Sequence, residues 1–192
     1  NTTSATNGAH TLTAVARDAA GNTATSAGIS VTVSNAASNI APSGTAYRWT
    51  SNTTALANTN KYAEPRLNDN NLAVNVNLND GGGDGSIHYE AGGVIWASSQ
   101  TVSSVKFISG SYDGYDGVFC ANLTLQFTAD GSTWTNSGWT VSPTYPYNSS
   151  AQGVTYTFTG TAISKRGVRV SGQVGSVGIG SWFENMREVQ VF

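Results

Sequence analysis

One stretch constrains this chain more than any other: Leu123-Thr-Leu-Gln-Phe127-Thr-Ala-Asp130-Gly131-Ser-Thr-Trp134. Leu123, Leu125 and Phe127 alternate with Thr124 and Gln126, the period of a strand with one buried face. The alternation stops at Asp130-Gly131, a two-residue turn signal whose glycine supplies the positive φ of tight hairpins. Trp134 restarts the apolar pattern, followed by Trp139 and Val141. The same grammar recurs at Val74, Val76 and Leu78, in Gly93-Val-Ile-Trp96, in Val102 to Ile108, in Val154-Thr-Tyr156-Thr-Phe158, in Gly167 to Val170 and in Arg187 to Phe192. No segment carries a helical period for more than a turn. Many short strands separated by turn residues predict an antiparallel sandwich.

The polar half of the alternation is uncharged. Charged residues make up 10% of the 192 residues, against roughly 25% in ordinary soluble domains. Thr, Ser, Asn and Gly take their place, as suits an extracellular β protein. Disorder is excluded by the 39% hydrophobic and 10% aromatic content, which is ample for a core. A net charge of −2 leaves no basic footprint for nucleic acid. No apolar run approaches the ~20 residues of a bilayer span, so membrane insertion is not expected. Cys120 is the sole cysteine, so no intrachain disulfide can form. Between Phe119 and Ala121 it reads as a buried structural thiol. Beginning at Asn1, the chain reads as a mature or cut piece of something longer.

Residues 1–38 carry His10-Thr-Leu12-Thr-Ala14, then Arg17-Asp18-Ala-Ala-Gly21-Asn22, then Ile29-Ser-Val31-Thr-Val33. This wording resembles the last two strands of a bacterial Ig-like domain, with Asp18 to Asn22 as the turn. An isolated hairpin is marginal in water. It must pack on the rest of the chain, pair with another chain or be mobile. His10 reads as a strand residue. The small, polar Asn35 to Ser43 forms the linker, which divides the chain into 1–38 and 39–192.

Residues 39–192 resemble the galactose-binding-like family, also called discoidin or coagulation factor 5/8 type C domains, to which many carbohydrate-binding modules belong. Four pieces carry the resemblance: Leu67-Asn-Asp69-Asn-Asn71, Val102-Ser-Ser-Val105-Lys-Phe107, the Leu125 to Trp134 stretch, and Arg187-Glu188-Val189-Gln-Val. Asn70 departs from the glycine often found in the first piece, and Val74 stands near its usual threonine. The resemblance implies an eight-stranded jelly-roll sandwich, a ligand held in loops at one end, and a structural calcium near the first and last strands.

Calcium takes six to eight oxygens of mixed type. Asp69 and Asn71 offer two from one tight loop, and Glu188 would arrive from the closing strand. The alternative is an Asx-turn that only satisfies local backbone N–H groups. Asp80 and Asp84 around Gly81 to Gly83 read as a flexible turn. For a sugar, the chain needs an aromatic platform and a few planar polar groups. Tyr112, Asp113, Tyr115 and Asp116 share one Gly-containing loop with that makeup. Arg48, Tyr145, Tyr147 and Trp182 join them if their loops lie at the same end. The competing reading makes Tyr112 or Tyr115 a cap on the core edge. Trp96, Trp134 and Phe158 are assigned to the core, and Trp139 to neither.

A glycosidase would need two carboxylates across the bond, one with a raised pKa. Asp113 and Asp116 sit in a Gly-rich, solvated loop, and no nucleophile elbow accompanies His88 and Glu90. The expectation is therefore a non-catalytic carbohydrate-binding module of a secreted bacterial multimodular protein, with a polysaccharide or glycan as partner. The alternative is a structural or adhesive subunit that self-associates through residues 9–34 by strand addition.

Overall fold

Asp18 shows how the sequence closes its first turn. Its Oδ1 accepts from the backbone N–H of Ala20 and of Asn22, both at 2.9 Å, and its Oδ2 accepts from Asn22 Nδ2 at 2.8 Å. Those hydrogen bonds, the Asn22 side chain first, hold the exposed carboxyl below its ordinary pKa. On either side, β2 (Val15–Arg17) pairs with β3 (Thr23–Thr25), and further out β1 (Gly8–Leu12) pairs with β4 (Ile29–Val33). Leu12, Val15 and Ile29 are 59%, 63% and 67% exposed, so these three are left uncovered, whereas Val33 is buried.

The computed structural model describes residues 2, 4–35, 37–51, 65–78, 86–112, 117–175 and 184–192. The chain divides into two compact units, Asn1–Ser38 and Asn39–Phe192.

The larger unit adds β5 (Thr45–Thr50), β6 (Val76–Asn77), β7 (His88–Ser109), β8 (Ala121–Thr128), β9 (Thr135–Asn136), β10 (Thr140–Ser142), β11 (Thr155–Val174) and β12 (Asn185–Val191). Helical structure among the described residues is limited to single 3-10 turns at Ala41–Ser43, Pro65–Leu67 and Ser149–Ala151. Two segments expected as four strands are two. Gly93–Trp96 and Val102–Ile108 lie in the single β7, and Val154–Phe158 and Gly167–Val170 lie in or beside the single β11. β7 and β11 form one antiparallel ribbon from His88↔Val174 to Ile108↔Thr155. Register shifts between Thr159 and Ile163 and between Lys165 and Gly167 mark its middle, where bulges bend a strand without ending it.

Each half of the ribbon seeds one layer. β5 joins the first half of β7, β8 joins the second half of β11, and β9 follows β8. On the other half, β12 joins β7 with β6 beyond it, and β10 joins β11. Gly92 shows that the layers pack face to face: a Cβ there would lie 2.7 Å from Met186 Sδ, on the opposite layer. The core between them includes Val94, Trp96, Phe107, Leu125, Phe127, Tyr156, Phe158, Val168, Met186 and Val189. The result is an all-β sandwich. Cys120 is buried, its Sγ donating to Gln173 O at 3.1 Å.

The turn after β8 is longer than a two-residue hairpin. Phe127 pairs with Thr135, and the intervening loop is organised by Asp130. Its Oδ1 accepts from the N–H of Ser132 and Thr133, both at 2.7 Å, and Gly131 takes φ +86°. A carboxylate that collects several N–H groups can close a loop that backbone geometry alone would leave open.

Candidate functional site

The bend in the ribbon brings both ends of β7 and both ends of β11 to one end of the sandwich. Short backbone bonds close that end: Gly110 N–H donates to Asn185 O at 2.7 Å, and Gly153 N–H to Gly110 O at 3.1 Å. Tyr112 lies there, half-buried against the core, its N–H donating to Gln152 Oε1 at 2.9 Å. Asp113, Tyr115, Asp116 and Trp182 lie outside the described residues, as do Asp80 and Asp84.

Beneath the loops is a tyrosine floor. Tyr145 is 3% exposed, its ring 4.7 Å from Tyr156 and 5.1 Å from Tyr147. Its hydroxyl accepts from Phe119 N–H at 3.0 Å, and burial pushes its pKa up. Tyr147, at φ +52°, accepts from Leu123 N–H at 3.1 Å through its hydroxyl. Arg48 is 4% exposed and donates from Nη1 to Asn77 O at 3.0 Å. Arg48 shares the inward side of β5 with Ala46, two residues away, which is why it is withdrawn from the surface. Arg48 and Tyr145, expected at the surface, are buried instead, because partners distant in sequence satisfy their polar atoms.

Two glutamates extend this floor. Glu90 and Glu184 are both fully buried, and Glu184 N–H donates to Glu90 Oε2 at 2.8 Å. Ser109 Oγ donates to Glu184 Oε1 at 3.4 Å. Burial first, and then the charge of Glu90, pushes the Glu184 carboxyl well above the usual range. A protonated acid beside a second carboxylate is the chemistry of a glycosidase pair, but neither side chain has any surface to offer a substrate. Glu184 carried no sequence signal, because it sits beside Trp182 and Phe183 with no alternation to place it.

The Asp69 loop meets the last strand at the opposite edge of β12. Asn71 N–H donates to Asp69 Oδ1 at 2.8 Å, the local bond of an Asx-turn. Asn70, at φ +65°, donates its N–H to Glu188 Oε1 at 3.1 Å. Glu188 is fully buried, and its Oε2 has no hydrogen-bond partner among the described residues. Burial, with the charge of Asp69 adding to it, pushes the Glu188 carboxyl up to about 7. Asp69 and Asn71 are exposed, Asp69 lies close enough for its charge to act on the buried Glu188, and Asn71 Oδ1 accepts from Ala73 N–H at 3.1 Å. No group of three His, Cys, Asp or Glu suited to a metal occurs among the described residues.

Trp96 and Phe158 are core residues, as expected, and Trp139 packs edge-on against Phe127 at 5.2 Å. Trp134 is not in the core. Its ring lies 5.1 Å from Tyr47 and 4.5 Å from the Arg169 guanidinium carbon, on the outer side of the layer. An alternating pattern fixes the period but not the face once a seven-residue loop intervenes.

The sandwich is similar to the family 32 carbohydrate-binding module of C. perfringens NanJ, a structure solved in complex with galactose, at TM-score 0.50 and 16% identity over 80% of this chain and 96% of that one. The fold is that of a family 32 carbohydrate-binding module. A chitosan-binding module from a chitosanase/glucanase of Paenibacillus sp. IK-5 is also similar, at TM-score 0.48 and 21% identity over 81% and 99% of the two chains. No protein-family model and no curated protein matches the sequence. Within the module fold, no described helix is long and apolar enough to cross a membrane.

Proposed function

We propose that residues 39–192 are a non-catalytic carbohydrate-binding module of the galactose-binding-like, discoidin kind, belonging to a secreted bacterial multimodular protein. The glycan is taken by loops at one end of the sandwich. The observation that carries this reading is Tyr112, part-exposed above a hydrogen-bonded tyrosine floor in the fold of a sugar-binding module. Tyr112 and Tyr115 supply ring faces for sugar C–H groups. Asp113 and Asp116 accept hydroxyl hydrogen bonds, Tyr147 borders that end, and Trp182 supplies a further ring. Arg48, Tyr145 and the buried glutamates hold the floor in place. A glycan array followed by Tyr115→Ala and Tyr112→Ala tests this. Both variants should lose the array signal while the melting temperature barely moves. Variants that bind as the parent does would refute the loop site.

Asp69, Asn71 and Glu188 fit a structural calcium ion (Ca2+). A buried carboxylate oxygen without a hydrogen-bond partner, next to a second carboxylate, is a local excess of negative charge that a cation relieves. Asp69 and Glu188 would contribute carboxylate oxygens and Asn71 an amide oxygen. The ion would tie the early loop to the last strand, with no part in catalysis.

A second reading is favoured by the exposed Leu12, Val15 and Ile29. Here residues 1–38 are the end of an Ig-like domain and associate with a neighbouring chain as part of an adhesive assembly. Sedimentation of the parent and of Ile29→Glu tests it. A monomeric parent refutes it.

A further inference from the structure

One row of the outer face runs through five strands. In register, Tyr47 on β5 pairs with Gly93 on β7, Gly93 with Arg169 on β11, Arg169 with Gln126 on β8, and Gln126 with Asn136 on β9. Tyr47, Gly93, Arg169 and Gln126 each stand next to a core residue, Ala46, Val94, Val168 and Leu125, so the row points away from the core, and the exposed Asn136 continues it at the edge of the sheet. Gly93 is required in it: a Cβ there would stand 2.1 Å from Val168 O and 2.8 Å from Arg169 Cβ. Its absence lets the Arg169 side chain lie along the row.

The row is also a directed chain of hydrogen bonds. Arg169 Nη1 donates to the Tyr47 hydroxyl at 3.3 Å and Arg169 Nε to Gln126 Oε1 at 2.7 Å. Gln126 Nε2 then donates to Asn136 Oδ1 at 2.9 Å. That last bond uses the Asn136 amide oxygen, which leaves the NH2 group of this exposed residue as its donor. Two positions before it, just ahead of β9, stands Trp134, whose ring packs on Arg169 and Tyr47 of the row. The guanidinium lies 4.5 Å from the Trp134 ring centre and 4.9 Å from that of Trp49. Both indoles remain half-buried, not covered.

We propose that this face is a second glycan contact, separate from the loop end, in which Trp134 and Trp49 meet the face of a pyranose ring and the Asn136 amide donates to one of its hydroxyls. The ligand class is an uncharged polysaccharide. A structural cluster alone would account for Arg169 and Tyr47, which are 8% and 5% exposed. It gives no reason for two partly open indoles beside an exposed amide whose oxygen is already bonded. A ring face with an oriented planar amide next to it is complementary to a sugar, which is apolar on its face and polar at its rim. The Arg169 charge is enclosed by three rings, so the row itself presents no open charge, and the nearest cation on this face is the half-buried Arg166 beside Thr45 and Ile95, which donates to Asp130 O.

The test uses the full chain and affinity electrophoresis through galactomannan, β-glucan and arabinogalactan, with alginate as the acidic control. Asn136→Ala should weaken retention on a neutral polysaccharide by about 3- to 10-fold, the value of one net hydrogen bond, with an unchanged melting temperature. Trp134→Ala should weaken it further. The Trp134 indole N–H resonance should shift on titration with the same polysaccharide, whatever the variant does to folding. Tyr115→Ala separates the two sites. If it abolishes retention while Asn136→Ala and Trp134→Ala leave it intact, the outer face is structural and the loop reading stands. If Asn136→Ala weakens retention and Tyr115→Ala does not, the outer face stands and the loop reading falls. Retention of the parent by none of the neutral polysaccharides, or by alginate alone, overturns the outer-face site. A change in sedimentation with Asn136→Ala, without a change in retention, would make the face a contact between copies and overturn it as well.

Discussion

Replacing Arg169 by Met removes one charge from the middle of the outer-face row and keeps most of the stem. The guanidinium lies within 6 Å of three ring centres, at 4.5, 4.9 and 5.8 Å. The two nearer rings contribute about 1 kcal/mol each. The 2.7 Å bond to Gln126 contributes about 2 kcal/mol as a bond to a charged donor. The 3.3 Å bond to Tyr47 adds little. Against this gross value of about 4 kcal/mol stands desolvation, the leading cause that lowers the pKa of this guanidinium. Removing the charge returns roughly half of the gross value. Arg169→Met should therefore cost about 2 kcal/mol, or about 4–8 °C in melting temperature for a domain of this length. Urea unfolding measures it directly. Arg169→Lys should lose at least half as much, because an ammonium cannot bond Gln126 and face the rings from one plane. If Arg169→Met unfolds at the same urea concentration as the parent, desolvation cancels the contacts and the row is not net attractive.

Three other outcomes follow from packing and charge. Chelator should lower the melting temperature and calcium restore it by mass action. In chelator, the Glu188 carboxyl is raised from 4.5 to about 7, so its contribution is fully present below pH 4.5 and is lost as pH rises toward 7. A calorimetric melting temperature that is flat across that window, with no response to calcium, would remove the ion from the reading. Gly93→Ala should yield little folded protein in a circular-dichroism melt, because its methyl would lie 2.1 Å from Val168 O. A stable Gly93→Ala variant would show that β7 and β11 can separate without cost.

Much of the fold can be read from alternation. Trp96, Phe107, Leu125 and Phe158 fall where period two puts them. What alternation cannot convey is continuity. Ala97 to Thr101 and Gly160 to Ser164 look like breaks between strands, yet bulges carry both chains through. The site is harder to read for a different reason. Arg48, Tyr145, Glu90 and Glu184 are polar, and polarity predicts surface unless partners distant in sequence satisfy it. Those partners, Asn77 O for Arg48 and Phe119 N–H for Tyr145, are set by tertiary structure. The Asp69–Glu188 meeting was readable only through the family resemblance, since 118 residues separate Asn70 from Glu188. The row from Tyr47 to Asn136 was not readable at all, because it exists only across registers.

The shared ribbon has a kinetic consequence. In most sandwiches each layer has strands of its own, and one layer could in principle loosen while the other persists. Here both layers are written on the same two strands, whose partners lie about 47 residues apart at Ile108↔Thr155 and 86 apart at His88↔Val174. Pairing therefore closes from the Ile108 end, where the loop is shorter, toward the His88 end, and each added pair draws the second layer along with the first. Such non-local pairing folds slowly, on the millisecond-to-second scale of all-β domains. Once closed, the ribbon makes the two layers one mechanical element. Pulling β7 from β11 at either end opens both faces of the core.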